Sequence, residues 1–171
     1  MLSNTGCVIL GLLQKQPMSG YDIKNKVDIS TSFFFPASYS QIYPELKKLE
    51  AEGLIEGEPL STGKRPRTEY AITAAGRKAF AKWLARPSAE IELRDEGLLK
   101  FFFAGGLDRE QLLAKLESLK QARMAELARL HEVGADMPEI ADELQHASLE
   151  YGIGLYEYAI GWCDRMIGQL A

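Results

Sequence analysis

A chain of 171 residues with 46% apolar side chains can bury one ordinary core or two small ones. At 26% charged it is too apolar for a disordered chain, and no apolar run approaches the ~20 residues that span a bilayer, since LLKFFFAGGL (98–107) and YGIGLYEYAIGW (151–162) are short and carry Lys100 and Glu157. The formal net charge is −4, yet residues 1–86 hold 12 Lys or Arg against 8 Asp or Glu, while residues 87–171 hold 8 against 16. A basic half joined to an acidic half directs polyanions to the first.

The start, MLSNTGCVILGLL, lacks the basic leader of a signal peptide. Cys7 and Cys163 stand far apart, with no CxxC and no Cys/His cluster, which fits a reducing cytoplasm without disulfide or structural zinc. NTGCVILGLLQK (4–15) reads as a helix with its apolar face at Val8, Ile9, Leu12 and Leu13, ended by Pro17. Ser19 is a good N-cap for YDIKNKVD. STSFFFPAS (30–38) is a loop with three phenylalanines, Phe33, Phe34 and Phe35, closed by Pro36. Ser38 or Ser40 caps SQIYPELKKLEAEG, with Pro44 in about the first turn, where a missing N–H costs least. Ile42, Leu46 and Leu49 form one stripe, and Gly53 is the stop signal.

LIEGEP (54–59) and RTEYAI (67–72) have strand character, and the Gly-, Pro- and Ser-rich LSTGKRP between them predicts a hairpin. Thr73 caps a fourth helix, AAGRKAFAKWLARP, ending at Pro87. Helices followed by a two-stranded wing are the layout of a winged helix-turn-helix. The second half reads as wholly helical. LRDEGLLKFFFAG (93–105) is one segment, stopped by Gly105 and Gly106. Asp108 caps REQLLAKLESLKQARMAELARLHEVG, whose stripe is Leu112, Leu116, Leu119, Leu127 and Leu130, with Arg123 on the same line. Pro138 breaks the chain before a last helix of about 139–170, striped by Ile140, Leu144, Ala147, Tyr151, Leu155, Tyr158, Trp162 and Met166.

Ala147, Gly154, Gly161 and Gly168 recur every seven residues, leaving a groove for close approach of another helix. Each helical glycine costs roughly 1 kcal/mol relative to Ala, so packing against a partner helix is the expected return. Helices this amphipathic cannot all cover one another in one chain. The expectation is a homodimer through the second half, with Leu116, Leu119, Tyr151, Gly154, Leu155, Gly161 and Trp162 at the interface. An intramolecular bundle is the alternative.

No enzyme is expected. HExxH, GxSxG, GxxxxGK[ST] and GxGxxG are all missing, and His131 and His146 sit on helix surfaces beside acidic residues. No cofactor or metal is implied. The basic tip makes sense with the helix before it. Ser40, Gln41, Tyr43, Lys47 and Lys48 fall off the apolar stripe, on the face that would meet a major groove. Gln41 suits adenine, Ser40 a base or phosphate, and the lysines and Tyr43 phosphates. Lys64, Arg65 and Arg67 would track the backbone or the minor groove. On this reading Gln41 sets sequence preference, while Lys64 and Arg65 strengthen binding to all DNA alike.

These pieces carry a resemblance. GYDI, PASYSQIYPELKKLEAEGLI, the wing GKRPRTEYAI and Y-x-I-T-x-x-G, together covering about residues 5–86, resemble the PadR family of bacterial transcriptional regulators. The remainder is similar in pattern to the longer helical C-terminal domain of its phenolic-acid-responsive members. The resemblance implies a mainly α fold with a small β-hairpin: a winged helix-turn-helix DNA-binding domain (1–86) and a helical dimerisation and effector domain (87–171). It implies a dimeric cytoplasmic repressor on a pseudo-palindromic operator, released by a small molecule. It assigns Ser38, Tyr39, Ser40, Gln41, Tyr43 and Lys47 to the recognition segment and Lys64, Arg65 and Arg67 to the wing, with Tyr21 and Lys24 as backbone contacts. The family motif often has a small residue or His where Tyr39 stands, so operator sequence does not transfer.

The aromatic set Phe33, Phe34, Phe35, Phe101, Phe102, Phe103, Tyr151, Tyr158 and Trp162 reads as core, or as a pocket for an aromatic acid whose carboxylate would meet Arg94, Lys100 or Arg123. The pocket version draws on Phe33, Phe34, Phe102, Arg94, Arg123, Tyr158 and Trp162. A winged-helix module that binds protein partners, without an operator of its own, is the alternative function.

Overall fold

The computed structural model describes residues 2–60, 67–135 and 143–170. They form two compact units, Met1–Ala89 and Glu90–Ala171. Lys64, Arg65, Pro138 and Ile140 lie outside the described residues.

In the first unit, Ser3 caps α1 (Asn4–Leu12), its Oγ accepting the Gly6 N–H at 2.9 Å. The helix stops short of residue 15, with Leu13 as its cap. Its buried face is Ile9, Leu10 and Leu13, while Val8 and Leu12 are half-buried. The expected stripe is therefore rotated, because α1 is wrapped by neighbours: α2 (Gly20–Asp28), α3 (Tyr39–Ala51) and α4 (Ala74–Leu84) all pack on it. Met18–Ser19 form a two-residue strand, β1, that alternation could not reveal. Ser19 then caps α2 through a reciprocal box. Its Oγ accepts the Asp22 N–H at 3.2 Å, and its own N–H donates to Asp22 Oδ2 at 3.2 Å.

Ser38 is the N-cap of α3. Pro44 sits in the second turn rather than the first, so the Ser40 carbonyl loses the donor that residue 44 would supply. The helix ends on Gly53 at φ +68°, with Gly53 N–H on the Glu50 carbonyl and Leu54 N–H on the Leu49 carbonyl, both 2.9 Å. That pairing is a Schellman motif, and only glycine adopts its left-handed residue without strain.

Strands β2 (Ile55–Leu60) and β3 (Arg67–Ile72) pair antiparallel from Ile55↔Ile72 to Leu60↔Arg67. β1 adds on the far side, Met18↔Tyr70 and Ser19↔Glu69, giving the order β1-β3-β2. Thr73 caps α4, its Oγ1 accepting the Gly76 N–H at 3.1 Å and donating to the Gly53 carbonyl at 2.8 Å. Ile9, Leu10, Ile23, Val27, Ile42, Leu46 and Leu49, all with no exposed surface, form the centre of the core. This is a winged helix-turn-helix.

In the second unit, α5 (Glu96–Phe102) is shorter at both ends than the helix expected over 93–105. Asp95 caps it, Oδ1 accepting the Leu98 N–H at 3.0 Å, which leaves Leu93 and Arg94 before the start. A 3₁₀ turn, Ala104–Gly106, takes up the end. α6 (Arg109–Ala135) opens on Asp108, whose Oδ1 accepts the Gln111 N–H at 2.9 Å. It packs along α7 (Glu143–Leu170), with Leu116 and Leu130 buried on α6 and Leu149, Gly152 and Cys163 buried on α7. That line is not the predicted stripe of α7. Leu144, Ala147, Tyr151, Leu155 and Tyr158 are exposed, and Trp162 and Met166 half-buried, so the stripe points away from α6. Both cysteines are free and buried, and burial holds their thiols above the ordinary value.

Gly76 lies so close to Leu54 that an added Cβ would sit 2.0 Å from its carbonyl oxygen, a backbone atom. Gly76→Ala should lower unfolding stability by about 1–3 kcal/mol, the cost of overpacking at a site that cannot yield. Urea unfolding checks this, and an unchanged midpoint contradicts the packing described.

Candidate nucleic-acid interface

Burial of Ile42, Leu46 and Leu49 sets the rotation of α3, so the residues between them must face out. Ser38, Tyr39, Ser40, Gln41, Tyr43, Lys47 and Lys48 are all exposed along that outer side. Tyr39 and Tyr43 stack at 6.1 Å between ring centroids. Lys24 of α2 lies 5.5 Å above the Tyr39 ring and forms an ion pair with Asp28. Its ammonium is thus held at the seam of α2 and α3, and its side chain is only 15% exposed. Tyr21, on the same helix, is 56% exposed.

The two helices meet closely because Gly20 carries no side chain. A Cβ there would come within 2.8 Å of the Tyr43 ring. This is the physical demand behind the glycine of GYDI. Gln41 has a structural role too, since its Oε1 accepts the Ser38 N–H at 2.9 Å, closing the first turn of α3. While it does so, that oxygen is not open to an adenine amino group. Lys48 pairs with Glu45 at 3.2 Å.

On the wing, Lys64 and Arg65 lie outside the described residues. Arg67, at the tip-side end of β3, forms an ion pair with Asp22. Burial pushes the Asp22 carboxyl up, but hydrogen bonds from Ser19 and then from Arg67 outweigh it, and the net shift is downward. No sequence spacing announces this pair, whose members stand 45 residues apart.

The residues expected around an effector divide between the units. Phe33 and Phe34 meet edge to face at 4.7 Å in the first unit. In the second, Phe101 meets Trp162 edge to face at 5.2 Å, and Phe102 packs on Phe103 at 5.0 Å with both largely exposed. Tyr158 lies beneath the Arg165 guanidinium at 5.8 Å. All three candidate cations already hold carboxylates: Arg94 with Glu92, Lys100 with Glu96 at 2.8 Å, and Arg123 with Asp95. Only the Arg123 pair is sheltered, each side chain 23% exposed.

Of the residues expected at a dimer contact, Leu116 is buried inside the unit and Leu119 half-buried, against the position where a Gly97 side chain would be. Tyr151, Gly154 and Leu155 line an open groove of about 450 Å³ with Ala147 and Glu150. Nothing stands within 4 Å of where a Cβ on Gly154 or Gly168 would be, so these two positions have no neighbour among the described residues. At Gly161 the one neighbour is the Arg165 side chain, 3.5 Å away. Among the described residues no helix is long and apolar enough to cross a membrane, and no cluster of His, Cys, Asp and Glu could hold a metal ion.

Comparison with known proteins adds a second line of evidence. Residues 9–82 match the model of the transcriptional regulator PadR-like family, and residues 93–171 that of the virulence activator alpha C-terminal region. The negative transcriptional regulator PadR of Bacillus subtilis is 34% identical over 146 residues, 84% of this chain and 80% of that protein. The crystal structure of B. subtilis PadR in complex with operator DNA superposes with a TM-score of 0.89 at 28% identity, covering 99% of this chain and 100% of that one. The complex of the same protein with p-coumaric acid gives 0.78 at 28% identity, covering 96% and 94%.

The Ser19–Asp22–Arg67 cluster has a pH signature. An unperturbed Asp titrates near ~3.9, and Asp22 lies below its ordinary value when folded. As pH falls the unfolded chain takes up the proton first, so this contribution is complete above about pH 5 and is lost as pH drops through the folded value. Carboxyl titration by NMR should put Asp22 below its ordinary value and move it upward in Arg67→Gln. An Asp22 titrating at or above the ordinary value would contradict the cluster.

Proposed function

The chain belongs to the transcriptional regulator PadR-like family, and from that premise we propose that it is a homodimeric cytoplasmic repressor that leaves its operator when a small aromatic acid binds. It is a DNA-binding transcriptional regulator, not an enzyme. On this proposal its winged-helix unit is the part that meets DNA. What carries the reading is the outer side of α3. A row of hydroxyl, amide and ammonium groups stands over a stripe with no exposed surface, and a wing follows. Ser38, Tyr39, Ser40, Tyr43 and Lys47 supply groups for bases and phosphates. Lys48, Tyr21 and Lys24 flank them. Lys64 and Arg65, outside the described residues, add two positive charges to the wing sequence. Gln41 reads a base only by releasing the Ser38 amide, or through its Nε2 alone.

Dimerisation rests on the outward stripe of α7. Leu144, Tyr151, Leu155 and Tyr158 are 48–78% exposed, a continuous apolar line beside a glycine groove. A second copy of the same helix fits both features. Light scattering should report about twice the 19.0 kDa of one chain. Leu155→Glu should reduce this to one chain and weaken operator binding by on the order of a hundredfold, since each half then binds alone. A wild-type mass of one chain would refute the dimer.

For the effector, the p-coumaric acid complex of B. subtilis PadR supports an aromatic acid as ligand class. In this chain the half-buried Arg123 is the best-placed cation, and an incoming carboxylate would take over from Asp95, the cap of α5. Trp162 and Phe101 offer ring faces in the same unit. Hydroxycinnamic acids should change Trp162 fluorescence and release DNA, and Arg123→Gln should abolish both responses. Unaltered fluorescence and DNA binding across a panel of such acids would reject this ligand class.

A further inference from the structure

We propose that Arg67 works inside the chain rather than on a phosphate, as a strut that positions the wing through Asp22. The proposal rests on the reading that the winged unit binds DNA. Arg67 differs from the other paired cations of this face. Lys24 and Lys48 reach carboxylates four and three residues away on their own helices. Arg67 reaches across the fold, from β3 to the first turn of α2.

The pair closes a ring. Ser19 is at once the N-cap of α2 and the β1 residue opposite Glu69 of β3. It is 2% exposed, and its hydroxyl donates to Asp22 Oδ2 at 2.8 Å. Asp22 then accepts from Arg67, two residues along β3 from Glu69. The backbone ladder therefore ties β1 to β3, and the side-chain bridge ties the adjoining first turn of α2 to the same strand. Two points suppress a rotation that one would allow. Arg67 also stands opposite Leu60, the last described pair of the β2–β3 ladder, so the ring grips the hairpin at that end.

An exposed ion pair is usually worth little, because ordering two long side chains offsets the attraction. Here the carboxylate is already ordered by the α2 cap, and only the arginine remains to be fixed. The sign of the Asp22 effect separates the strut from simple electrostatics. A carboxylate near a polyanion repels it, so removing its charge should strengthen binding if charge alone mattered. A strut demands the reverse.

The test compares the full-length protein with Asp22→Asn, Arg67→Gln and the double variant. Asn keeps an oxygen for the cap while removing the charge. The readout is fluorescence anisotropy on DNA from upstream of the protein's own gene, at fixed salt. The strut predicts that Asp22→Asn weakens binding roughly two- to fivefold, the scale of one exposed ion pair, and that the double variant is no weaker than Arg67→Gln alone. Equal or tighter binding by Asp22→Asn, or additive losses, overturns it. Hydrogen exchange on the free proteins gives a readout that needs no DNA. The β3 amides should exchange faster in both single variants, with those of α3 unchanged, and unchanged β3 exchange also overturns the strut. Wild-type protein that does not prefer this DNA over a scrambled sequence counts against the operator reading instead, and the exchange result still decides the strut.

Discussion

The outward row of α3 depends on three side chains that never reach the surface. Ile42, Leu46 and Leu49 lock α3 against the core, and each such burial is worth roughly 1.5–3 kcal/mol. Once they are inside, the residues between them have no choice of direction. The outer row is thus a consequence of packing. The end of α3 is fixed as firmly. Gly53 turns the chain, Leu54 N–H returns to Leu49, and the Leu54 carbonyl accepts the Thr73 N–H at 3.1 Å. α3, the first wing strand and the last helix of the unit all converge on Leu54.

The second unit follows the opposite rule. Its two long helices bury one line of side chains against each other and leave a second line uncovered. α6 covers one of the two apolar faces of α7, and the proposed second copy would cover the other. The charge division fits the same scheme. The acidic residues collect in the second half, so a protein of net charge −4 keeps a net positive first half, the one proposed to meet a duplex. Joining two such faces through α7 would set their spacing, and a ligand that altered the α5–α6 contacts would act on that spacing.

Much of the fold was legible because local chemistry decided it. Ser19, Thr73 and Asp108 cap helices as their positions imply, Gly53 ends α3, and β3 begins and ends where its alternation does. What was not legible depended on partners distant in sequence. β1 is two residues whose strand character comes entirely from Tyr70 and Glu69. The buried face of α1 is turned toward Leu10 by helices on several sides. The α7 stripe was readable as a stripe, but a stripe does not say which neighbour covers it, and α6 took the line through Leu149 and Cys163 instead. At the interface, residue types told which side chains suit DNA and not which were already engaged. Gln41 closes its own helix and Arg67 holds Asp22, and neither contact follows from composition or period.

The most direct test of the central claim is anisotropy of the full-length protein on DNA from upstream of its own gene, against a scrambled sequence, across a salt series. Two faces that each neutralise three or four phosphates predict tight, sequence-preferring binding, with log K falling against log salt at a slope of roughly −5 to −7. No binding to either DNA at any salt would contradict the account and favour a winged-helix module that works through protein partners.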